Sequence, residues 1–303
     1  MPNGFLLIDK PVGLRSAECV ALVKRLLGKK SKSPRVGHAG TLDSTASGLL
    51  VLLLGSATRL SDYVMKLPKV YEATMRLGVA TDTCDASGSA VFCGDAEHVS
   101  ELAFDRVLYS FLGVRMQRPP EISALKVGGR PSHKIAREGQ EVSLEARPVF
   151  MSSIKRCSPI SFGRVRISVA CGKGTYIRAL VRDIGEALGC GAHVEELRRL
   201  STGPFDVSKA QVPEAVADMS DMSVRPLREI ASAFHRIILT EEAERRLLNG
   251  LYVPLASAGR YVSGNMELRH GLCVEGTGLI GFADVIEGLI LKPRMNIIMD
   301  DQP

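Results

Sequence analysis

Apolar residues along the chain recur with two spacings. A period of two runs through "YEATMRLG", where Tyr71, Ala73, Met75 and Leu77 alternate with Glu72, Thr74 and Arg76. That is the mark of a strand with one buried face. "GFLLID" and "GLLVLLL" are short continuous apolar runs, as expected of core strands, and the turn "KPVG" ends the first. A period near 3.6 places Cys19, Val23, Leu26 and Leu27 on one face of a helix. It is predicted to run from a cap at Ser16 to about Leu27, with Gly28 as its stop. A second helix is predicted over 99–112. "RVRISVACGKGTYIRALVRDIGEALGCGAHVEELRRL" reads strand, tight turn, helix, turn, helix. Leu180, Val181, Ile184, Ala187 and Leu188 line one side of the first of those helices, which Gly189 and Gly191 end. The segment "AHVEELRRL" is the second.

Between these elements lies "RMQRPPEISALKVGGRPSHKIAREGQEV", rich in Pro, Gly and Arg and without sustained periodicity. It is predicted to be a long functional insertion over about 116–147. "SKAQVPEAVADMSDMSVRP" reads as a poorly ordered connector. From about Phe234 the pattern changes to short strands with frequent glycines ("RYVSG", "LCVEGTG", "LIGFADVIEG", "LILKPRMNII"), as in a small β domain closed on itself. Irregular interleaving of strands and helices predicts an α+β catalytic domain on a mixed sheet rather than a strict βαβ array.

Charge changes the picture. The net charge of +6 favours a polyanionic partner. "KRLLGKKSKSPR" carries six lysines and arginines and no acid, and "RMQRPP" and "KVGGRPSHKIAR" add more. Clusters beside glycine-rich loops point to phosphate contacts. The seven cysteines include no C-x-x-C pair, which argues against a disulfide framework or zinc knuckle and for reduced thiols. "LLVLLL" is far too short to span a membrane, and the N-terminus has no basic leader; a cytoplasmic location is expected.

Familiar catalytic patterns fail. "CGKGTY" lacks the leading glycine of a phosphate-binding loop, since Ile167 stands there, and Gly174 replaces its Ser or Thr. No G-x-S-x-G elbow and no H-E-x-x-H spacing occur. What stands out is "GHAGTLDSTASGLLVLLLG", with the single carboxylate of Asp43 between a glycine-rich turn and a core strand. An acid there is costly unless a partner keeps it charged. It is either a structural cap or a chemical group.

Six segments in order, "DKPVG", "GHAGTLD", "SATRLSDYV", "KVYEA", "KGTYIRAL" and "AHVEELRR", resemble the TruB family of tRNA pseudouridine synthases over nearly the whole chain. The resemblance implies a pseudouridine synthase fold: α+β, with a mixed, mainly antiparallel sheet flanked by helices. It implies a catalytic domain over 1–233, whose insertion clasps RNA, and a PUA-like RNA-binding domain over 234–303. The reaction implied is isomerisation of uridine-55 in the tRNA T-loop, with the base flipped out and neither cofactor nor metal. The partner would be the T-arm of tRNA, with no membrane and no guide RNA, and the protein would be a monomer. Carried over by position, Asp43 is the nucleophile, Tyr71 stacks on the flipped base and can move a proton, and Arg178 pairs with the carboxylate. His38 helps separate the target base, and Lys69 and Leu197 line the pocket. Lys10, Arg59, Lys126 and Arg130 are further expected RNA contacts. An always-charged guanidinium suits a carboxylate that must stay ionised in a dry pocket. Departures from the family pattern are Ser44 where Pro is usual, Arg15 before the serine of "GLRS", Ile122 before "SALK", and His133 in place of a tyrosine. Two other readings compete: an RNA-guided relative, against which the short N-terminus and "RPPEISALK" argue, and an RNA chaperone without chemistry.

Overall fold

The computed structural model describes residues 3–28, 35–123, 126–127, 130–131, 144–216, 218–264 and 272–299. Most of the insertion, including His133, and part of the lysine-rich segment lie outside them. In chain order the first elements are β1 (Gly4–Lys10), α1 (Ser16–Gly28), β2 (Val36–His38), β3 (Ala46–Leu54), α2 (Ser61–Lys66), β4 (Lys69–Leu77), β5 (Val79–Thr81), β6 (Ala90–Cys93), α3 (Glu101–Ser110) and β7 (Gly113–Gln117). There follow β8 (Lys126–Val127), β9 (Arg130–Pro131), β10 (Arg147–Arg156), β11 (Arg164–Cys171), α4 (Ile177–Ala187), β12 (Ala192–Thr202), β13 (Phe205–Asp206) and α5 (Leu227–Ala231). The last part holds β14 (Arg236–Leu239), α6 (Glu241–Leu248), β15 (Val253–Pro254), α7 (Leu255–Ala258), β16 (Gly259–Val262), β17 (Leu272–Glu275), β18 (Leu279–Ile286) and β19 (Ile290–Ile298).

The large sheet has the order β1-β3-β12-β4-β11-β10-β7, with β2 on β3 and β13 on β12. Every pair in it is antiparallel except β3 with β12, where Leu197, Arg198 and Arg199 stand opposite Ala46, Ser47 and Gly48. Two antiparallel halves are thus joined along one parallel seam. The alternation in "YEATMRLG" is realised: Ala73, Met75 and Leu77 are buried under α3 and α4. The run in β3 is buried on both faces. Leu50, Leu52 and Leu54 pack with α1, and Leu49, Val51 and Leu53 pack on the other side with α2 and α5.

Two expectations are corrected. "AHVEELRRL" is strand β12, not a helix. Its register shifts between Val194 and Glu196 and again between Arg199 and Ser201. Each irregularity breaks the period of two, so the residues opposite Met75, Ala73, Tyr71 and Lys69 are Val194, Leu197, Arg199 and Thr202, without a regular alternation. The connector is ordered where described. Gln211 donates its N–H to Leu7 O and Arg225 exchanges backbone hydrogen bonds with Phe5, so the segment covers the outer edge of β1. Its buried Pro213, Val216 and Met222 are spaced too irregularly to signal an element.

The second sheet has the order β15-β19-β18-β17-β14-β16. Its Cys273, Ile280, Phe282 and Ile297 join Phe234, Tyr63, Phe5, Leu7 and Leu49 in one apolar cluster.

Candidate active site

The parallel seam places a loop from one half against strands of the other. Asp43 sits in the loop between β2 and β3, and several grips fix it. Leu42 N–H donates to Ser16 Oγ at 2.9 Å, and Ser16 Oγ donates back to Leu42 O at 2.9 Å. Ser16 therefore clamps the loop instead of capping α1. Arg199 on β12 donates from Nε to Leu49 O at 2.6 Å, from Nη2 to Gly40 O at 3.0 Å and from Nη1 to Thr41 O at 3.5 Å. Gly13 donates its N–H to Ser44 O at 2.7 Å. Lys10, fully buried, donates to Pro11, Leu14 and Ala46 carbonyls and ties the "DKPVG" turn to β3.

Arg178, in the first turn of α4, reaches this loop. Its Nε lies 2.9 Å from Asp43 Oδ2. The Arg178 side chain is 6 % exposed, whereas that of Asp43 is 43 % exposed, so the cation is walled in and the carboxylate stays open to an incoming group. The other arginine nitrogens are held too: Nη1 donates to Thr83 O at 2.9 Å and lies 3.5 Å from Asp85 Oδ2, and Nη2 donates to Ile122 O at 3.0 Å. A positive charge at a helix start opposes the helix dipole; two carboxylates offset it here. Burial alone would push the Asp85 carboxyl up. Hydrogen bonds from Ser87 and Thr83, with the Arg178 charge, hold it below the usual range.

Asp43, Tyr71, Arg178, Lys69 and Leu197 line one cavity of about 290 Å³, together with Lys173, Tyr176 and Arg199. That size sits near the lower limit for small-ligand clefts, about 300 Å³. Tyr71 is half-buried on β4 opposite Arg199. Burial raises its phenol pKa, and the Arg199 charge pulls it back. Lys69 Nζ donates to Met65 O at 2.5 Å and Leu67 O at 2.6 Å. Burial, with Arg199 adding to it, lowers its pKa to about 7. Tyr176 is docked by Gln117, whose side-chain amide accepts from Tyr176 N–H at 2.9 Å and donates to Tyr176 O at 3.1 Å.

The remaining expected residues lie outside the cavity wall. His38 is on β2 opposite Leu52, half-buried, its Nδ1 without a hydrogen-bond partner among the described residues. Burial, then the Arg199 charge, lowers its pKa. Arg59 is exposed and donates to Asn296 O at 2.7 Å, linking the two sheets. Lys126 and Arg130 lie on β8 and β9 of a small hairpin. Sequence reasoning missed Asp85, which no motif marked, and Arg199, hidden in the misread helix. The acid of "TDTCDASG" followed by Ser87 was the available signal for the first.

A family model described as TruB family pseudouridylate synthase (N terminal domain) matches residues 24–177, and one described as tRNA pseudouridylate synthase B C-terminal domain matches 178–240. A tRNA pseudouridine synthase B of Geobacter sulfurreducens is 40 % identical over 256 residues, covering 82 % of each chain. One of Burkholderia lata is 38 % identical over 297 residues, covering 97 % of this chain and 90 % of the relative. A solved Cbf5-Nop10-Gar1 complex contains a chain that superposes with a TM-score of 0.75 at 24 % identity, covering 98 % of this chain and 86 % of that one. At that identity it speaks for the fold alone.

Proposed function

The chain belongs to the TruB family of pseudouridylate synthases, and from that premise we propose that it isomerises uridine-55 in the T-loop of tRNA to pseudouridine. It is an isomerase acting on uridine in RNA, and its relatives' names point to tRNA as the substrate. The observation that carries the finer reading is the 2.9 Å pair of Arg178 and Asp43 at a cavity that Tyr71 also lines.

The reaction breaks the C1′–N1 bond and makes a C1′–C5 bond. A fixed carboxylate can attack as nucleophile or balance a cationic sugar, and it must remain ionised to do either. The buried guanidinium supplies that balance. A base stacked in a folded loop is out of reach, so the target nucleotide is flipped into the cavity. The Tyr71 ring then replaces stacking worth about 1–3 kcal/mol per base. Its hydroxyl is placed to carry the C5 proton away. The net charge of +6 supports association with the tRNA backbone. On this reading catalysis is by a monomer, in the cytoplasm, without a guide RNA. Residues 1–233 form the catalytic domain, and the 116–147 insertion and the PUA-like 234–303 region extend the RNA footprint.

The test is incubation of the pure protein with an unmodified tRNA transcript, followed by mapping of pseudouridine. Pseudouridine at uridine-55, absent with Asp43→Asn, is the expected result. Modification elsewhere, or only on addition of a guide RNA, would overturn it.

A further inference from the structure

Arg199 is 1 % exposed, yet among the described residues its hydrogen bonds go to three main-chain carbonyls and to no carboxylate. A buried cation without an anion is costly, so its place in the structure calls for a reason. Its neighbours supply one. Gly40 and Thr41 belong to the loop that carries Asp43. Leu49 belongs to β3, and Tyr71 is its cross-strand partner on β4. Cross-strand partners present their side chains on the same sheet face. One planar guanidinium thus stands between the two groups of the cavity that reach a substrate from opposite halves of the sheet. Gly48 lets the Arg199 main chain approach β3: its φ is +104°, and a Cβ there would lie 2.2 Å from Arg199 O.

We propose that Arg199 is a positioning residue for the isomerisation: by binding the Asp43 loop and standing against Tyr71 it sets carboxylate and phenol at a fixed separation across the parallel seam. The inference rests on the functional reading above. It differs from the Arg178 pairing, which charges the carboxylate; Arg199 places it. A lysine's compact ammonium lacks the planar fork with which Arg199 reaches Leu49 O on β3 and Gly40 O in the loop at once.

The test compares wild type with Arg199→Lys and Arg199→Met, using Tyr71→Phe as a spectroscopic reference. Folded protein is first confirmed by circular dichroism. Single-turnover rates and tRNA affinity are measured on unmodified transcript, and the Tyr71 phenolate is titrated by absorbance difference. The charged and titratable groups around Tyr71 are Arg199, Cys171 and Asp43, with Lys69, Lys173 and Arg178 on the same cavity; Arg199 alone is changed. Arg199→Lys is expected to bind tRNA within about threefold of wild type but to turn over about 100-fold more slowly, the scale of a misplacement near 1 Å. In Arg199→Met the Tyr71 titration moves up by about one pH unit. Folded Arg199→Lys with turnover within about threefold of wild type would overturn the proposal. So would an unmoved Tyr71 titration in Arg199→Met. If wild type modifies no tRNA, the functional reading fails while the titration, which needs no substrate, still decides the link between Arg199 and Tyr71.

Discussion

Asp43 and Arg178 divide the work of an ion pair unequally, the one open and the other sealed by Asp85, Thr83 and Ile122. Asp43→Asn keeps the shape and removes the charge. It is expected to leave tRNA affinity nearly intact while abolishing turnover, checked by binding and by release of the C5 proton. Arg178→Lys cannot keep Asp43, Thr83 and Ile122 together and should lose about 100-fold in turnover, measured under single-turnover conditions. Lys69 gives a pH signature. Its pKa falls from an unfolded value near 10.5 to about 7, so the unfolded chain holds more protons across that window. Below about pH 7 the cost of burying the charge is fully present, and it is relieved as pH rises toward 10.5. Wild type should therefore gain unfolding free energy relative to Lys69→Met between pH 7 and 9, as read from urea denaturation at each pH.

At the scale of elements, the parallel seam of β3 and β12 is the feature on which the site depends. Gly48 lets the strands close, because its positive φ and the Arg199 backbone exclude a side chain. Gly48→Ala should cost at least about 1–3 kcal/mol from the strained backbone alone, seen as a lower denaturant midpoint. Most elements were legible in the sequence. α1 and β4 carried clean periodicity, β1 and β3 were continuous apolar runs, and α4 carried an apolar stripe. β12 was not legible, because its bulges break the alternation and only partners on both sides reveal it as a strand. Asp43, Tyr71, Arg178, Lys69 and Leu197, carried over from the family motifs, do line one cavity. Arg199 was invisible because its role consists of contacts to backbone from distant segments, and Asp85 was passed over because the cation it meets, Arg178, lies far along the chain.

Across the whole molecule, the two sheets share a core. Tyr63 of α2 stacks on Phe282 of β18 with ring centroids 3.6 Å apart, and Phe234 meets Phe282 edge to face at 5.0 Å. The C-terminal sheet is thus part of what buries Leu49 and Phe5, not an appendage on a linker. Removing 234–303 should lower tRNA affinity and also destabilise the large sheet, whose Leu49 and Phe5 share its apolar cluster. Phe282→Ala should cost about 3–5 kcal/mol and lower the melting temperature of the whole protein in one transition.

The sequence by itself determined the strands and helices whose faces are regularly buried, the basic character, and the motifs that mark the family, because these depend on local order along the chain. The tertiary structure decided which charges meet. Arg178 and Asp43 are 135 residues apart in the chain and 2.9 Å apart in space. Arg199 finds its carbonyls only where β12 lies parallel to β3. Such pairings are set by strand order and register, which no short-range pattern of residues encodes.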